Sequence, residues 1–553
     1  MAPSAIVHLP NGQNLTVTPV FGGLYFKSNE LSSHHAPFPP GWTVVLNSED
    51  GDSDEEDELP NPRDLLAGID GPKAHSAPVS RSSTPKPLPT PRRHAIHRFK
   101  RPTLHNDHLF ISSISQPSSA EFRPASSPTR QIAMMLWATL WWYFHQPEPH
   151  LHIQSKASEK TKEAGKPRGE WRININREGI FKSKVILPKL ERMGLIATED
   201  SAVGADLDER AGEGWLKMFV SRKAFWQLDA RIYLFTMAAA SGVGSPYPGG
   251  STPNHSRPGS PNRPGAAGGG DLDRHEAQIG ASATGSFATP GPFRSGSHLP
   301  TFYPPLPPQY VFTNAVRHPI RAKPPSQGET FYTRYIPSQG QYLSFRVAST
   351  STTPQIHKGP ISSALLVGQV HSSVSDTVLP TISTITGHES CDQDLLHKWM
   401  NIPRVSAFWN EAGPPPHQEE FLKKALRSRH SFPAIGCWDG KPFGYFEIYW
   451  AREDVVGRYT DVGHYDRGVH VLVGEEDFRG PARVRVWLSA LVHYCWLADN
   501  RTETVVMEPR VDNDRILKYA LEAGFYKEKE IAFPHKQANL LKIRRESWEH
   551  PAT

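Results

Sequence analysis

The chain opens on a period of two. Apolar and polar positions alternate through "IVHLPNGQNLTVTPVFGGLYF" around Asn11-Gly12, which predicts a β-hairpin turning at that dipeptide. The pattern changes at "IAMMLWATLWWYF", from Ile132. This run falls short of the roughly 20 residues that span a bilayer, and it is read as a buried amphipathic helix. From Gln341 to Glu546 strand and helix signals alternate with few breakers. "QYLSFRVAS" is a strand, and "DQDLLHKWMNI" and "PHQEEFLKKALRSR" are amphipathic helices. "FPAIGCWDG" and "KPFGYFEIYWARE" are strands joined at Asp439-Gly440. A strand follows over 468–474, then a helix from about Pro481 to Leu497 and the strand "TETVVMEPR". "NDRILKYALEAG" is a helix capped by Asn513 and ended by Gly524. "KEKEIAFP" and "NLLKIRRE" close the sheet. The order β-α-α-β-β-β-α-β-α-β-β predicts an α/β (α+β) fold with a mixed, mostly antiparallel sheet flanked by helices.

Breakers divide the chain. The acidic run "EDGDSDEEDE" from Glu49 to Glu58 reads as a solvated loop, and residues 70–105, rich in Pro, Ser and basic residues, as another. Gly, Pro and Ser make 31 of the 60 residues from 241 to 300, a disordered linker by composition. The expected organisation is an amino-terminal α+β domain with acidic and Pro-rich loops (1–236), a linker (237–300) and a carboxyl-terminal domain (301–553). Within the first domain, the Trp-rich helix followed by "GEWRININREGIFKSKVILPKLERMGLI" resembles a small winged-helix unit. The net charge of +5 is too mild to imply nucleic acid, so packing or oligomerisation is the better reading of that unit, and a homodimer is left open. Cys391, Cys437 and Cys495 have no paired spacing, which suits a reducing compartment. No His/Cys/carboxylate spacing marks a metal site. The apolar run follows no basic n-region, so neither a signal peptide nor a membrane span is expected. The final "HPAT" is not the Ser-Lys-Leu type. The expectation is cytosolic, with the peroxisome left open.

The candidate chemistry centres on "GVHVLVGEEDFRGPARVRVWLSALVHYCWL", from Gly468. A strand ends at Gly474 and a helix opens at Pro481, where free N–H groups and the positive dipole end favour an anion. Pro481 suits the first helical turn, Gly480 permits close approach, and Arg479, Arg483 and Arg485 suit phosphates. The loop could hold a pyrophosphate and the strand could pair with an extended ligand arm. Taken alone this is a weak signal, because a Gly-Pro helix start with no ligand is common.

The element order, with this loop after the fourth strand, resembles the GNAT acetyltransferase fold, whose loop cradles the CoA pyrophosphate. Asp477-Phe478-Arg479-Gly480-Pro481-Ala482 keeps the Gly and Ala of that superfamily's Gln/Arg-x-x-Gly-x-Gly/Ala pattern but not its first residue. Over about residues 385–546, "DRGVHVLVG", "FRGPARVRVWL", "DNRTETVVMEPRVDN" and "GFYKEKEIAFPHKQANLL" resemble siderophore N-acyltransferases, in particular the fungal hydroxyornithine acyltransferases. "FEIYWARE" and "SAFWNEAG" resemble two further motifs of that family.

The resemblance implies transfer of an acyl group, acetyl favoured over anhydromevalonyl, from acyl-CoA to the side-chain hydroxylamine nitrogen of N5-hydroxyornithine, without a metal. It places the cofactor at Val473, Gly474, Arg479, Gly480 and Arg483. It implicates His470, and Asp512 as general base. His470 between Val469 and Val471 also fits a core histidine, and Asp512 beside Asn513 also fits a helix-cap carboxylate. Trp409, Asn410, Glu447 and Trp450 are the substrate-side candidates, Glu447 for an α-ammonium and the Trp rings for the aliphatic chain. Glu447 and Trp450 fall on opposite faces of one strand, so one pocket takes both only across a bulge or bend. "FPHKQ" around His535 and Lys536 marks the family without a physical role. The competing readings are a GNAT enzyme acting on an aminoglycoside-like amine and a non-catalytic regulatory protein.

Overall fold

The turn at Asn11-Gly12 forms as its chemistry requires. Gly12 takes φ +87°, and β1 (Ala5–His8) pairs antiparallel with β2 (Asn14–Val20). The structure, a computed structural model, describes residues 5–29, 38–49, 96–115, 128–153, 156–183, 185–198, 218–230, 308–357, 359–362 and 390–553. The acidic run beyond Glu49, residues 70–95 and the 241–300 segment lie outside the described residues.

The hairpin grows into a nine-stranded sheet with β3 (Gly23–Ser28), β4 (Gly41–Glu49), β5 (Ile96–Arg98), β6 (Asp107–Ile114), β7 (Arg172–Ile175), β8 (Ala197–Thr198) and β9 (Met218–Ser221). Its order is β1-β2-β3-β4-β6-β7-β9-β8, with β5 on β4. The winged-helix expectation is corrected here. β7 and β9, with α2 (Ile186–Arg192) and α3 (Arg222–Trp226), do not stand apart. Their strands continue the hairpin's sheet, and Ile173 and Val220 enter the same core as Leu15 and Trp42.

The Trp-rich run is α1 (Pro128–Phe144), buried at every position from Ile132 to Phe144 and therefore not amphipathic. It has no solvent face because protein lies on both sides. Trp42 Nε1 donates to Thr139 Oγ1 at 3.1 Å from the sheet. Trp137 and Trp141 line a cavity with Phe331 and Tyr332 of the carboxyl-terminal half. His493 ties the halves: Nδ1 accepts from Tyr332 OH at 2.9 Å and Nε2 donates to the Trp226 carbonyl at 2.7 Å. Burial pushes its pKa down to about 3, so this link is neutral.

The carboxyl-terminal half adds a hairpin, β10 (Tyr310–Thr313) with β11 (Val316–Pro319), and an eight-stranded sheet. The sheet comprises β12 (Thr330–Ile336), β13 (Gln341–Val347), β14 (Ser431–Trp438), β15 (Lys441–Trp450), β16 (Arg467–Val473), β17 (Thr504–Met507), β18 (Tyr526–Ala532) and β19 (Gln537–Arg544), ordered β12-β13-β14-β15-β16-β17-β19-β18. Every pairing is antiparallel except β16 with β17. The helices are α4 (Asp392–Met400), α5 (Pro403–Trp409), α6 (Pro415–Arg427), α7 (Pro481–Ala498) and α8 (Asp514–Glu522). The expected order holds from β13 onward with one addition. α5 buries only Val405, so it carries no hydrophobic period, and Pro403 and the left-handed Asn410 mark its ends. Among the described residues no helix is long and apolar enough to cross a membrane.

α4 is anchored by charge. Arg346 on β13 meets the Asp392 carboxylate through two hydrogen bonds of 2.6 and 2.5 Å, and Ser349 N adds a third at 2.8 Å. Both ionic side chains are buried. Asp392→Ala strands the guanidinium and is expected to cost about 3–5 kcal/mol, read as a shift in the urea unfolding midpoint. A loss below about 1 kcal/mol would show that the pair does not hold this helix.

Candidate active site

β16 and β17 run parallel but pair only at Arg467 with Val505 and Gly468 with Val506. Beyond Gly468 they diverge, whereas β16 stays paired to β15 along its whole length. Residues 469–473 therefore present an edge of backbone groups to a groove, a template for an extended ligand.

His470 stands on this edge, directly opposite Glu447 on β15. Cross-strand partners share a face, so register alone brings His470 Nδ1 to 2.9 Å from Glu447 Oε2. Across the groove, Glu508 follows β17 and places Oε1 2.5 Å from His470 Nε2. Each carboxylate has a phenol behind it: Tyr445 donates to Glu447 at 2.9 Å and Tyr449 to Glu508 at 2.7 Å. Tyr449 reaches Glu508 by crossing Gly468, where a Cβ would lie 2.0 Å from its ring. Lys536 Nζ donates to the Glu508 carbonyl at 2.8 Å, which gives the "FPHKQ" block a physical role.

Burial alone would lower the His470 pKa, but Glu508 and then Glu447 outweigh it and hold the value well above 6.5. Burial would raise Glu508, and the imidazolium charge overrides it, leaving the carboxyl below its ordinary value. The centre is thus an imidazolium donating both N–H groups to carboxylates. Glu508 is almost closed off at 4% side-chain exposure, whereas His470 keeps 31% and Glu447 19%. An incoming group meets His470 and Glu447, with Glu508 behind them. Two carboxylates and one imidazolium leave one negative charge, so the cluster can accept a proton without becoming cationic.

The other expected residues divide. Trp409 stands edge-on to His470, ring centroids 6.4 Å apart, and walls the cluster. Asn410 is the left-handed cap of α5, φ 54°. Glu447 stands within the charge cluster, with Oε2 on His470 Nδ1 and Oε1 accepting from Tyr445. Trp450 lies on the opposite face of β15, stacked against Arg467 at 3.3 Å and Arg321 at 4.3 Å. No bulge returns it to the pocket. Asp512 is not brought to His470: it is exposed, both its oxygens meet Arg510, and that pairing draws its pKa below 3.8. Among the described residues no hydrogen bond or ion pair joins it to the cluster. Asn513 provides the cap, accepting from Ile516 N at 3.4 Å.

In the loop, Gly480 takes φ +119° and ψ 157°, with open space where a Cβ would project. It heads the 18-residue α7, a free helix amino terminus suited to a phosphate. Gly474 answers to packing, since a Cβ there would lie 2.1 Å from Trp399. The Val473 and Gly474 carbonyls are held by Arg404 of α5 at 2.7 and 2.6 Å. Arg479 pairs with Glu476, and Arg483 packs on Trp438 and Phe478 while donating to Gln341. Of the three arginines only Arg485 extends from the helix exposed. One group of metal-ligand type, His150, His152 and Glu163, gathers among the described residues. It lies in the amino-terminal half, where Glu163 also pairs with Lys166 at 3.2 Å.

Sequence reasoning missed Glu508, Tyr445, Tyr449, Arg404 and Arg510. Glu508 left one local signal: a glutamate before Pro509 directly after the apolar strand Thr504–Met507.

Sheet, groove and helix terminus define an acetyltransferase of the GNAT class, and residues 389–533 match the Acetyltransferase (GNAT) domain model. The N5-hydroxyornithine acetylase of Beauveria bassiana is 46% identical, covering 96% of this chain and 99% of that protein. The N5-hydroxyornithine:cis-anhydromevalonyl coenzyme A transacylase of the same fungus is 36% identical over 41% of this chain and 42% of its own length. The N6-hydroxylysine O-acetyltransferase of Escherichia coli is 38% identical over 32% of this chain and 55% of its own. The chain belongs to the N5-hydroxyornithine acetylase family.

The charge cluster has a pH signature. Because His470 is raised on folding, its contribution is complete below 6.5 and is lost as pH rises through its folded pKa. Because Glu508 is lowered, its contribution is complete above 4.5 and is lost as pH falls through its folded pKa. The stability gap between wild type and Glu508→Gln is therefore expected to be widest between these values and to narrow toward alkaline pH in denaturant titrations. A gap that widens with rising pH would contradict the charge assignment.

Proposed function

We propose that this chain transfers an acyl group, acetyl by preference, from acyl-CoA to the side-chain hydroxylamine nitrogen of N5-hydroxy-L-ornithine, producing a hydroxamate for siderophore assembly. The observation that carries the mechanism is His470 held between Glu447 and Glu508 at the foot of an open strand edge. The acetyl donor is favoured by the full-length likeness to an acetylase, against a likeness to the anhydromevalonyl enzyme that spans 41% of the chain.

The hydroxylamine nitrogen is less basic than an alkyl amine and attacks as the neutral species. An N–C bond forms at the thioester carbonyl, the C–S bond breaks, and the N–H proton passes to the leaving thiolate. The Glu447–His470–Glu508 cluster takes that proton during attack and returns it to sulfur, its charge moving between minus one and zero. The 469–473 edge aligns the thioester arm, and the α7 terminus with Gly480 receives the pyrophosphate. Trp409 walls the aliphatic chain. Asp512 is not the base in this account.

Purified protein given acetyl-CoA and N5-hydroxyornithine is expected to release free thiol, with little release from ornithine or with anhydromevalonyl-CoA. His470→Ala is expected to lower kcat by about 100-fold or more. A folded protein that releases no thiol with either donor would overturn the proposal.

A further inference from the structure

Arg510 and Asp512 stand two and four residues beyond Glu508, at the wide end of the groove. Arg510 bridges to Ala538, and Pro509 O accepts from Asn539 N at 2.8 Å, which keeps this segment extended beside β19. In extended backbone, residues two apart face the same side about 6.6 Å apart. Glu508 and Arg510 thus leave the same side of this segment, Glu508 reaching His470 and Arg510 reaching the Ala407 carbonyl of α5.

Arg510 Nε and Nη2 are committed to Asp512, and Nη1 donates to the Ala407 carbonyl of α5 at 2.6 Å. The Phe408 ring lies 4.9 Å from the guanidinium carbon. Three of the five N–H groups are used and two remain. The Asp512 side chain is 55% exposed. The groove mouth therefore offers a fixed cation beside a fixed anion. An α-amino acid head group carries a carboxylate and an ammonium on one carbon, the complement of this pair.

We propose that Arg510 and Asp512 seat the head group of the amino-acid acceptor, Arg510 taking its carboxylate and Asp512 its α-ammonium. The inference rests on the proposed function and extends it to substrate selection. Five bonds separate the ornithine side-chain nitrogen from the carboxylate carbon, about 6 Å when extended, so the head group of a substrate whose nitrogen meets His470 and Glu447 lies outside the cluster, on the side toward solvent. Arg510 also fixes α5, so the residue that holds the head group sets the Trp409 wall along the methylenes. This gives the resemblance-derived Asp512 a binding role in place of a chemical one.

The test uses the full-length enzyme, acetyl-CoA and three acceptors: N5-hydroxyornithine, 1-amino-4-(hydroxyamino)butane without the carboxylate, and 5-(hydroxyamino)pentanoate without the α-amine. Wild type is expected to prefer N5-hydroxyornithine over each by about 30-fold or more in kcat/KM, mostly through KM. Arg510→Met is expected to erase the preference over the carboxylate-free acceptor, with partial rescue in Arg510→Lys. Asp512→Asn is expected to erase the preference over the amine-free one. Because Asp512 is exposed, that arm decides the question if Arg510→Met does not fold. Wild type that acylates N5-hydroxyornithine while both variants keep their preferences, or lose rate equally on all three acceptors, overturns the inference and leaves the proposed activity standing. Wild type that acylates none of the three overturns both.

Discussion

A single imidazole gripped by two carboxylates is the constraint around which the carboxyl-terminal half is organised. The grip needs three backbone decisions at once. The β15–β16 register must set Glu447 opposite His470, β16 and β17 must pair for two residues and then part, and β17 must end where Glu508 faces the gap. Gly468 is part of the same constraint, because only a missing Cβ lets Tyr449 cross the strand to Glu508. Buried charges without partners cost several kcal/mol, so each carboxylate has a phenol behind it, and the Lys536 ammonium meets the Glu508 carbonyl.

The divergence that creates the groove also exposes the chemistry. The β16 edge offers backbone groups to an extended arm, and the helix that begins at Gly480 offers N–H groups to a phosphate. α5 borders the same space, tied to β16 by Arg404 and to the β17–α8 connection by Arg510. The amino-terminal half reaches this unit through the Trp-lined core around α1 and the neutral His493 link. It shares a core with the transferase sheet and contributes none of the residues of the charge cluster.

Much of this was legible in the residues. Asn11-Gly12 and Asp439-Gly440 announce turns through their left-handed preference, and β16, α7 and α8 begin and end within one residue of expectation. Short-range rules suffice where the determinant is local. They failed where it is tertiary. The 132–144 run is too short for a membrane and its sequence reads as an amphipathic helix, while its burial on both sides comes from partners far apart in sequence, Trp42 on one side and the Phe331–Tyr332 strand on the other. α5 has one buried residue and no period to detect. Trp450 followed the strand alternation that had already separated it from Glu447.

The most instructive difference is Asp512 against Glu508. Both lie in "EPRVDN", and a motif alone does not say which carboxylate enters the groove. Strand geometry does: Glu508 directly follows β17 and faces the gap, whereas Asp512 sits past the extended segment, where Arg510 holds it. Arg479 shows the same limit in the loop, a phosphate candidate by composition whose guanidinium answers a neighbouring Glu476.

The protonation state of His470 in the ligand-free enzyme tests the central claim most directly. Side-chain nitrogen NMR of specifically labelled protein near pH 7.5 is expected to show both ring nitrogens protonated, the signature of an imidazolium held between Glu447 and Glu508. A single-proton tautomer, with one nitrogen resonating as an unprotonated pyridine-type site at that pH, would contradict the account.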